Sequence, residues 1–356
     1  MSRYNSPISI EAAKASKIDQ IDFNNLPFGD IFTDHMLVCD YKNGSWEVPK
    51  IMPYQNISIA PSARVFHYGQ AIFEGMKAYR DTAGDCWLFR PEENFSRFNK
   101  SCVRMAMPEI REDYFFDGLH ELLKLDQEWI KGGAGNSLYI RPFMIASQAG
   151  VAASPANEYK FIIILAPAQS YYGGEVRVKI AEKFCWAAAG GFGFAKAAGN
   201  YAGQFYPTKL AQEEGFQQIV WTDAKTHEYI EEAGVMNIFI RIGDSLITGP
   251  TSDSILDGVT RKSLIQLAKD NQVSIEIRPI KVSEIIEAFK NNTLKEMFGA
   301  GTAAVVSPIS GFGYQGEKYE LTTQEDSYAM MFKKKLNDIQ YNLSPDPHGW
   351  RIAAIQ

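Results

Sequence analysis

Strand-like and helix-like segments alternate along all 356 residues, and several strand pairs stand too close together for a crossover helix to fit between them. That spacing disfavours one doubly wound sheet. It points to an α/β (α+β) chain of two domains, each a mixed or antiparallel sheet or barrel with helices. Residues 35–40 and 46–51 read as strands around Lys42-Asn43-Gly44. Cys86 to Arg90 reads as a short strand, after which Pro91 suits a helix start. Residues 113–131 carry a helical period in Phe115, Leu119, Leu122, Leu123 and Trp129. Leu138–Ala146 and Tyr159–Ala166 read as strands, the second so apolar that both its faces are expected to be buried. Turn residues and aromatics in Pro167–Gly174 predict a domain boundary. The expected division is 1–170, a linker at 171–176, and 177–356. Beyond the linker, strands are expected at 176–181, 217–222, 236–241, 245–248, 273–278, 294–298 and 304–309, and helices at 203–214, 260–270, 282–290 and 323–339.

Composition removes several function classes. The 36 Lys and Arg against 42 Asp and Glu leave a net charge of −6, the wrong sign for a nucleic-acid binder. The longest apolar run, Phe161 to Ala168, falls far short of the roughly 18 residues that span a bilayer. The first twenty residues lack the apolar core of a secretory signal. Cys39, Cys86, Cys102 and Cys185 form no CxxC, and His227-Glu228 lacks the second histidine of HExxH, because Glu231 stands there. A cytoplasmic protein without metal, membrane or nucleic-acid partner is expected.

Several segments carry candidate chemistry. Gly311-Phe-Gly-Tyr-Gln-Gly316 matches GxGxxG, but no helix start follows, so a glycine-rich turn between strands is expected. Ala187–Asn200 is more unusual. Lys196 stands there among small, apolar or neutral residues, with no Asp or Glu between Glu182 and Glu213. A lysine without counter-ions in an apolar setting loses hydration, so its pKa falls and it becomes a usable nucleophile, as Schiff-base chemistry requires. The plain alternative is a flexible surface loop. Glu232, two residues before Gly234, is either a cofactor partner or a solvated charge at a strand entry. Asp257-Gly258 followed by Thr260 offers backbone N–H groups and a hydroxyl at a helix start, which suits a phosphate or a simple cap. Phe298–Ala303 is a second glycine-rich strand exit bearing a hydroxyl, Thr302. Tyr139 and Arg141 alternate onto one strand face as a carboxylate clamp, or Arg141 serves a surface ion pair. Arg97 reads locally as a charged helix position. A nucleophilic lysine, a carboxylate, two phosphate-binding candidates and a clamp are together the set that pyridoxal phosphate needs.

In this order the segments resemble the branched-chain-amino-acid aminotransferases, members of the fold-type IV pyridoxal phosphate enzymes. Glu232-x-Gly234-x-x-Asn237-Ile-Phe239, Leu246-x-Thr248 and Leu256-x-Gly258-Val-x-Arg261 satisfy the long, specific class signature. Phe73-Glu-Gly-Met-Lys77, Tyr139-Ile-Arg-Pro142, Lys196-x-x-Gly-Asn-Tyr201 and Phe298-Gly-x-Gly-Thr-Ala303 narrow the likeness to the branched-chain enzymes. The resemblance runs from about residue 30 to about residue 350. Ile339-Gln-Tyr and His348-Gly-Trp350 resemble a longer, eukaryote-like subgroup, although Ala304-Val-Val-Ser307 stands where some of its members carry a redox CxxC.

The resemblance implies transamination of L-leucine, L-isoleucine and L-valine with 2-oxoglutarate, by a homodimer. It implies that Lys196 bonds the cofactor and carries the proton, that Tyr201 meets the phenolic oxygen, and that Glu232 pairs with the pyridine nitrogen. Leu256 is placed among the cofactor contacts. Arg97, Val259, Thr260 and Thr302 are implied at the phosphate. Tyr68, Arg141, Thr302 and Ala303 are implied at substrate carboxylates. Phe73, Tyr139 and Tyr171 are implied along the side-chain pocket, with Val151 reaching in from a partner subunit. A D-amino acid aminotransferase or an aminodeoxychorismate lyase is the nearest rival, and a non-catalytic ligand-binding relative is disfavoured by the retention of Lys196.

Overall fold

Strand Tyr159–Ala168 lies between strands His35–Lys42 and Ser137–Ala146, antiparallel to both, and nearly all its side chains are buried, as its apolar run requires. The structure, a computed structural model, describes residues 6–169, 176–322 and 324–355. The chain divides into two compact units: Met1–Tyr171 with Lys196–Ala198 and Asp338–Gln356, and Tyr172–Ala195 with Gly199–Asn337.

The first unit holds a ten-stranded sheet. From its centre the order continues through Met76–Arg80 and Cys86–Phe89 to Arg351–Ala353 on one side, and through Lys50–Pro53 to Ser9–Ile10 on the other. Ala71–Phe73 pairs with Ser137–Ala146. The Asn43-Gly44 turn has both residues at positive φ, 53° and 78°, the geometry a tight hairpin needs. Helices Pro91–Arg104 and Glu112–Leu125 pack on the sheet through Phe98 and Phe115, whose rings lie 5.5 and 5.8 Å from that of Phe161.

Two expectations change in this unit. The helix predicted over 113–131 ends at Leu125 and resumes as a single 3-10 turn, Gln127–Trp129. Asp126, buried at the break, accepts from the backbone N–H of His35 at 3.1 Å and contacts its ring Nδ1 at 2.6 Å, while the Trp129 indole N–H reaches Asp34 at 2.9 Å. These tertiary bonds redirect the chain. The expected C-terminal domain 177–356 also loses its tail. Strand Arg351–Ala353 pairs with Cys86–Phe89, and Asp338–Gln356 groups with the first unit. Of the expected linker 171–176, all but Val176 lies outside the described residues.

The second unit contains a closed ring of six strands: Met236–Ile242, Leu294–Gly301, Val305–Tyr314, Val176–Ile180, Gln218–Thr222 and Tyr229–Ala233, the last pairing with the first. Val176–Ile180 runs parallel to both its neighbours and the other ring pairings are antiparallel, so the sheet is mixed. Val178, Val220, Ile238, Ile240 and Phe312 belong to the apolar core here. The GxGxxG segment is a turn between strands. Gly311 and Gly313 lie in Val305–Tyr314, Gln315 and Gly316 take positive φ, and Glu317–Glu320 returns. A Cβ on Gly313 would lie 2.2 Å from the Phe216 ring, so that glycine answers to packing. Among the described residues no helix is long and apolar enough to cross a membrane, and no cluster of His, Cys, Asp and Glu is arranged to hold a metal.

Candidate active site

In the second unit the signature residues bring strand Tyr229–Ala233 against the segment that leads into helix Val259–Asp270. Glu232, in strand Tyr229–Ala233, is buried, contrary to the solvated alternative. Its Oε1 accepts from the Asn237 side-chain amide at 2.9 Å and from the Leu256 backbone N–H at 3.2 Å, and the same amide donates to the Leu256 carbonyl at 2.8 Å. Leu256, half-buried, is thereby fixed beside the carboxylate. Two residues on, Gly258 is the N-cap of helix Val259–Asp270. Thr260 lies inside this helix rather than capping it. A glycine N-cap offers no side-chain acceptor to the first N–H groups of this twelve-residue helix, the arrangement that suits an anion. A Cβ at position 258 would lie 2.0 Å from Asn237 Oδ1, so glycine there preserves the link to Glu232. Arg261, buried, donates to the Gly249 carbonyl at 2.7 Å. Burial pulls its pKa down, opposed by the charges of Asp257 and Glu232.

Thr302 and Ala303 sit half-buried in the turn between strands Leu294–Gly301 and Val305–Tyr314. Val305, which closes that turn, has φ 60°, a strained conformation for a β-branched residue. Tyr201 lies in helix Ala198–Gly203 with Trp186 edge-on to its ring at 5.0 Å. The small residues before Lys196 serve chain packing. A Cβ on Gly193 would lie 2.8 Å from Ser254 Cα, and the Phe194 N–H donates to the Asp253 carbonyl at 3.1 Å.

Lys196 itself groups with the first unit. Its carbonyl accepts the Phe73 N–H at 3.0 Å, its own N–H donates to Ser101 Oγ at 3.0 Å, and Ala197 bridges Ile72. The Lys196 ammonium lies 4.6 Å from the centre of the Phe73 ring and the Arg141 guanidinium 4.7 Å from it, so one aromatic ring carries two cations. Arg141 Nη2 donates to the Tyr139 hydroxyl at 3.0 Å, which places both on one strand face, and its buried Nε has no hydrogen-bond partner among the described residues. Phe28 packs edge-on to Tyr139 at 5.2 Å. Gly75 is required beneath Tyr139, whose hydroxyl would lie 2.1 Å from an added Cβ.

Arg97 is buried, not on the surface. Its Nε and Nη2 meet Glu74 Oε1 and Oε2 at 2.6 and 2.9 Å, and Glu74 is fully buried. Burial raises the Glu74 carboxyl, but the charge and hydrogen bonds of Arg97, the charge of Lys196 and the Asn94 amide outweigh it and hold the group below the usual carboxylate range. Lys77, buried opposite Tyr139 in the next strand, is pushed down to about 8 by desolvation. Tyr68 is exposed and donates to the Val151 carbonyl. Tyr171 lies outside the described residues. Sequence reasoning assigns nothing to Glu74, Asn94, Ser101 or Phe28. Its one available signal is the polar spacing 94, 97, 101 along a helix.

The family model described as amino-transferase class IV matches residues 71–312. Branched-chain-amino-acid aminotransferase 2 of Bacillus subtilis is 42% identical over 351 residues, 96% of each chain. A probable branched-chain-amino-acid aminotransferase of Staphylococcus aureus is 40% identical over 354 residues, 97% of this chain and 98% of that one. Among solved structures, the Escherichia coli branched-chain amino acid aminotransferase has TM-score 0.74 at 22% identity, covering 90% of this chain and 99% of its own. The branched-chain amino acid aminotransferase of Thermobaculum terrenum, in its PLP-form, has TM-score 0.73 at 17% identity, covering 91% of this chain and 99% of its own. At such identities the structures speak for the fold, while the sequence relatives and the matched signature speak for the family. The chain belongs to the class IV aminotransferases and, within them, to the branched-chain-amino-acid aminotransferases.

Proposed function

We propose that this chain moves the α-amino group of L-leucine, L-isoleucine or L-valine to 2-oxoglutarate, giving the branched-chain 2-oxo acid and L-glutamate, with pyridoxal phosphate as cofactor. The observation that carries this reading is the Phe73 ring with Lys196 and Arg141 upon it, which sets an amine and a carboxylate-binding cation against one apolar surface. The uncapped helix start and the buried Glu232 fit the cofactor's phosphate and its ring nitrogen. When bound, the cofactor supplies an aldehyde for the amine and a ring that accepts electrons.

Lys196 Nζ is the group that would hold the cofactor covalently and would carry the proton to and from the substrate Cα. Glu232 would face the pyridine nitrogen and favour its protonated form, Tyr201 would hold the phenolic oxygen, and Leu256 would lie against the ring. The N–H groups of Val259 and Thr260, the hydroxyls of Thr260 and Thr302, and the charge of Arg97 serve the phosphate. Arg141, Tyr68 and the N–H groups at Thr302-Ala303 take substrate carboxylates, and the partnerless Arg141 Nε is consistent with that role. Phe73 and Tyr139 form apolar walls, where each buried methylene contributes about 0.8 kcal/mol. The chain works as a cytoplasmic homodimer. Phe66, Tyr68 and Val151, 63%, 45% and 65% exposed, offer an apolar surface for a second copy, which light scattering checks.

Borohydride reduction of the loaded protein followed by peptide mapping tests the chemistry. The pyridoxyl group belongs on Lys196, and a label on any other lysine refutes the assignment. A donor panel with 2-oxoglutarate tests the substrate class. Leu, Ile, Val and Glu are donors, and Asp, Ala and D-amino acids are poor. Strong D-alanine activity overturns it.

A further inference from the structure

Helix Pro91–Arg104 turns a polar stripe toward the interior of its unit. Asn94, Arg97 and Ser101 stand at i, i+3 and i+7 on one face, and all three are buried. Asn94 Nδ2 donates to Glu74 Oε2 at 2.9 Å and to the Gly75 carbonyl at 3.2 Å. Arg97 grips both oxygens of the same carboxylate. Ser101 Oγ donates to the Arg97 carbonyl at 3.0 Å and accepts the Lys196 N–H at 3.0 Å. Phe73, the residue before Glu74, donates its N–H to the Lys196 carbonyl, and its ring underlies the Lys196 ammonium. One helix face therefore holds the lysine's main chain directly, and it holds a carboxylate within electrostatic reach of the lysine's charge.

We propose that this face, acting through Ser101 and Glu74, is a positioning platform for Lys196: the serine hydroxyl fixes the lysine's main chain, and the carboxylate sets the balance between its charged and neutral amine. The inference rests on the reading of Lys196 as the amine that bonds the cofactor. Glu74 and Ser101 act through Lys196 and are positioning residues. Among the described residues, Arg97 is paired with Glu74, Arg141 shares the Phe73 ring with Lys196, and the Tyr139 hydroxyl accepts from Arg141. The charges of Arg97 and Arg141 favour the neutral amine and Glu74 the charged one, so loss of the carboxylate moves the titration in a defined direction.

Competitive labelling of the apoprotein with acetic anhydride at a series of pH values, read for each lysine by peptide mass spectrometry, gives the Lys196 midpoint without any turnover. Glu74→Gln lowers that midpoint by about 1 pH unit. Because Glu74→Gln strands the Arg97 charge, a variant that does not fold is replaced by Glu74→Gln/Arg97→Met. This double variant is neutral as a pair, and its midpoint falls by about half as much because the repulsion from Arg97 is lost as well. Ser101→Ala leaves the midpoint in place and lowers kcat about tenfold at unchanged KM, through misplacement of the amine, whereas Ser101→Thr retains most of kcat. A folded Glu74 variant with the wild-type midpoint overturns the proposal, and so does a Ser101→Thr enzyme as slow as Ser101→Ala. Borohydride mapping to a different lysine sinks the reading of Lys196 instead, whatever the midpoint does, so the two failures are distinguishable.

Discussion

The assembly around Glu232 and the cluster around Glu74 both organise a buried carboxylate, and they do it in opposite ways. Glu232 accepts from the amide of Asn237, five residues away, and from the backbone N–H of Leu256, 24 residues away. Glu74 is gripped by a guanidinium 23 residues away, and Ser101 of the same helix reaches Lys196 across 95 residues. In the first assembly these hydrogen bonds to the carboxylate come from neutral donors, with the charge of Arg261 in electrostatic reach. In the second a guanidinium grips both carboxylate oxygens and neutralises them with charge. A carboxylate held by neutral donors keeps its charge for a partner, whereas one paired with arginine spends most of it on the fold.

The sharpest way to break this comparison is to remove the lysine that the tertiary cluster holds. Lys196→Ala is expected to cut turnover about 10,000-fold or more, because both the covalent link and the proton carrier are lost. A coupled leucine–2-oxoglutarate assay measures it, and a rate within a hundredfold of wild type would mean that the cluster positions something else.

Arg97→Ala tests whether the Glu74 pair belongs to the fold. It leaves a fully buried carboxylate uncompensated, so urea unfolding at pH 7 should show a loss of about 3–5 kcal/mol. The sign with pH follows from the depressed Glu74 pKa. The pair's contribution is fully present above the ordinary carboxylate value of about 4.3 and is lost as pH falls through the lower folded value. The stability gap between wild type and variant should therefore narrow toward pH 3, and a gap constant with pH counts against the ion pair.

Glu232→Gln is the matching change in the other region. It should keep the fold within about 1 kcal/mol, since the glutamine carbonyl still accepts from the Asn237 amide and the Leu256 N–H, while kcat falls about a hundredfold with cofactor still bound. If Glu232→Gln destabilises as much as Arg97→Ala, the contrast between the two carboxylates collapses.

The smallest effect sharpens substrate choice. Arg141→Met should slow the glutamate half-reaction about tenfold more than the leucine one, because only glutamate brings a second carboxylate. Stopped-flow half-reactions measure each, and equal losses would assign Arg141 to the shared α-carboxylate alone.

How much is legible in the sequence depends on how local the determining interactions are. The strands at 35–40, 138–146 and 159–166 and the helix starts at Pro91 and near 260 are readable, because apolar period and turn residues act within a few positions. Strands Met76–Arg80 and Tyr229–Ala233 escape that reading. Lys77 and Glu232 sit buried in them, and a buried charge breaks the pattern that marks a strand. Thr260 reads as a cap because a hydroxyl before a helical run usually is one, but the helix is capped two residues earlier at Gly258, where Asn237 leaves no room for a side chain.

By itself the sequence determined that Lys196 is chemically isolated along the chain, that Glu232 through Arg261 carries the class signature, and that several strands pair without crossover helices. Each of these is a matter of order and spacing. Tertiary structure alone decided that Arg97 closes on Glu74, that Ser101 holds the Lys196 main chain, and that the isolated lysine has a carboxylate in electrostatic reach. Those contacts join residues far apart in the chain, and they are strong because folding removes the water that would otherwise screen them.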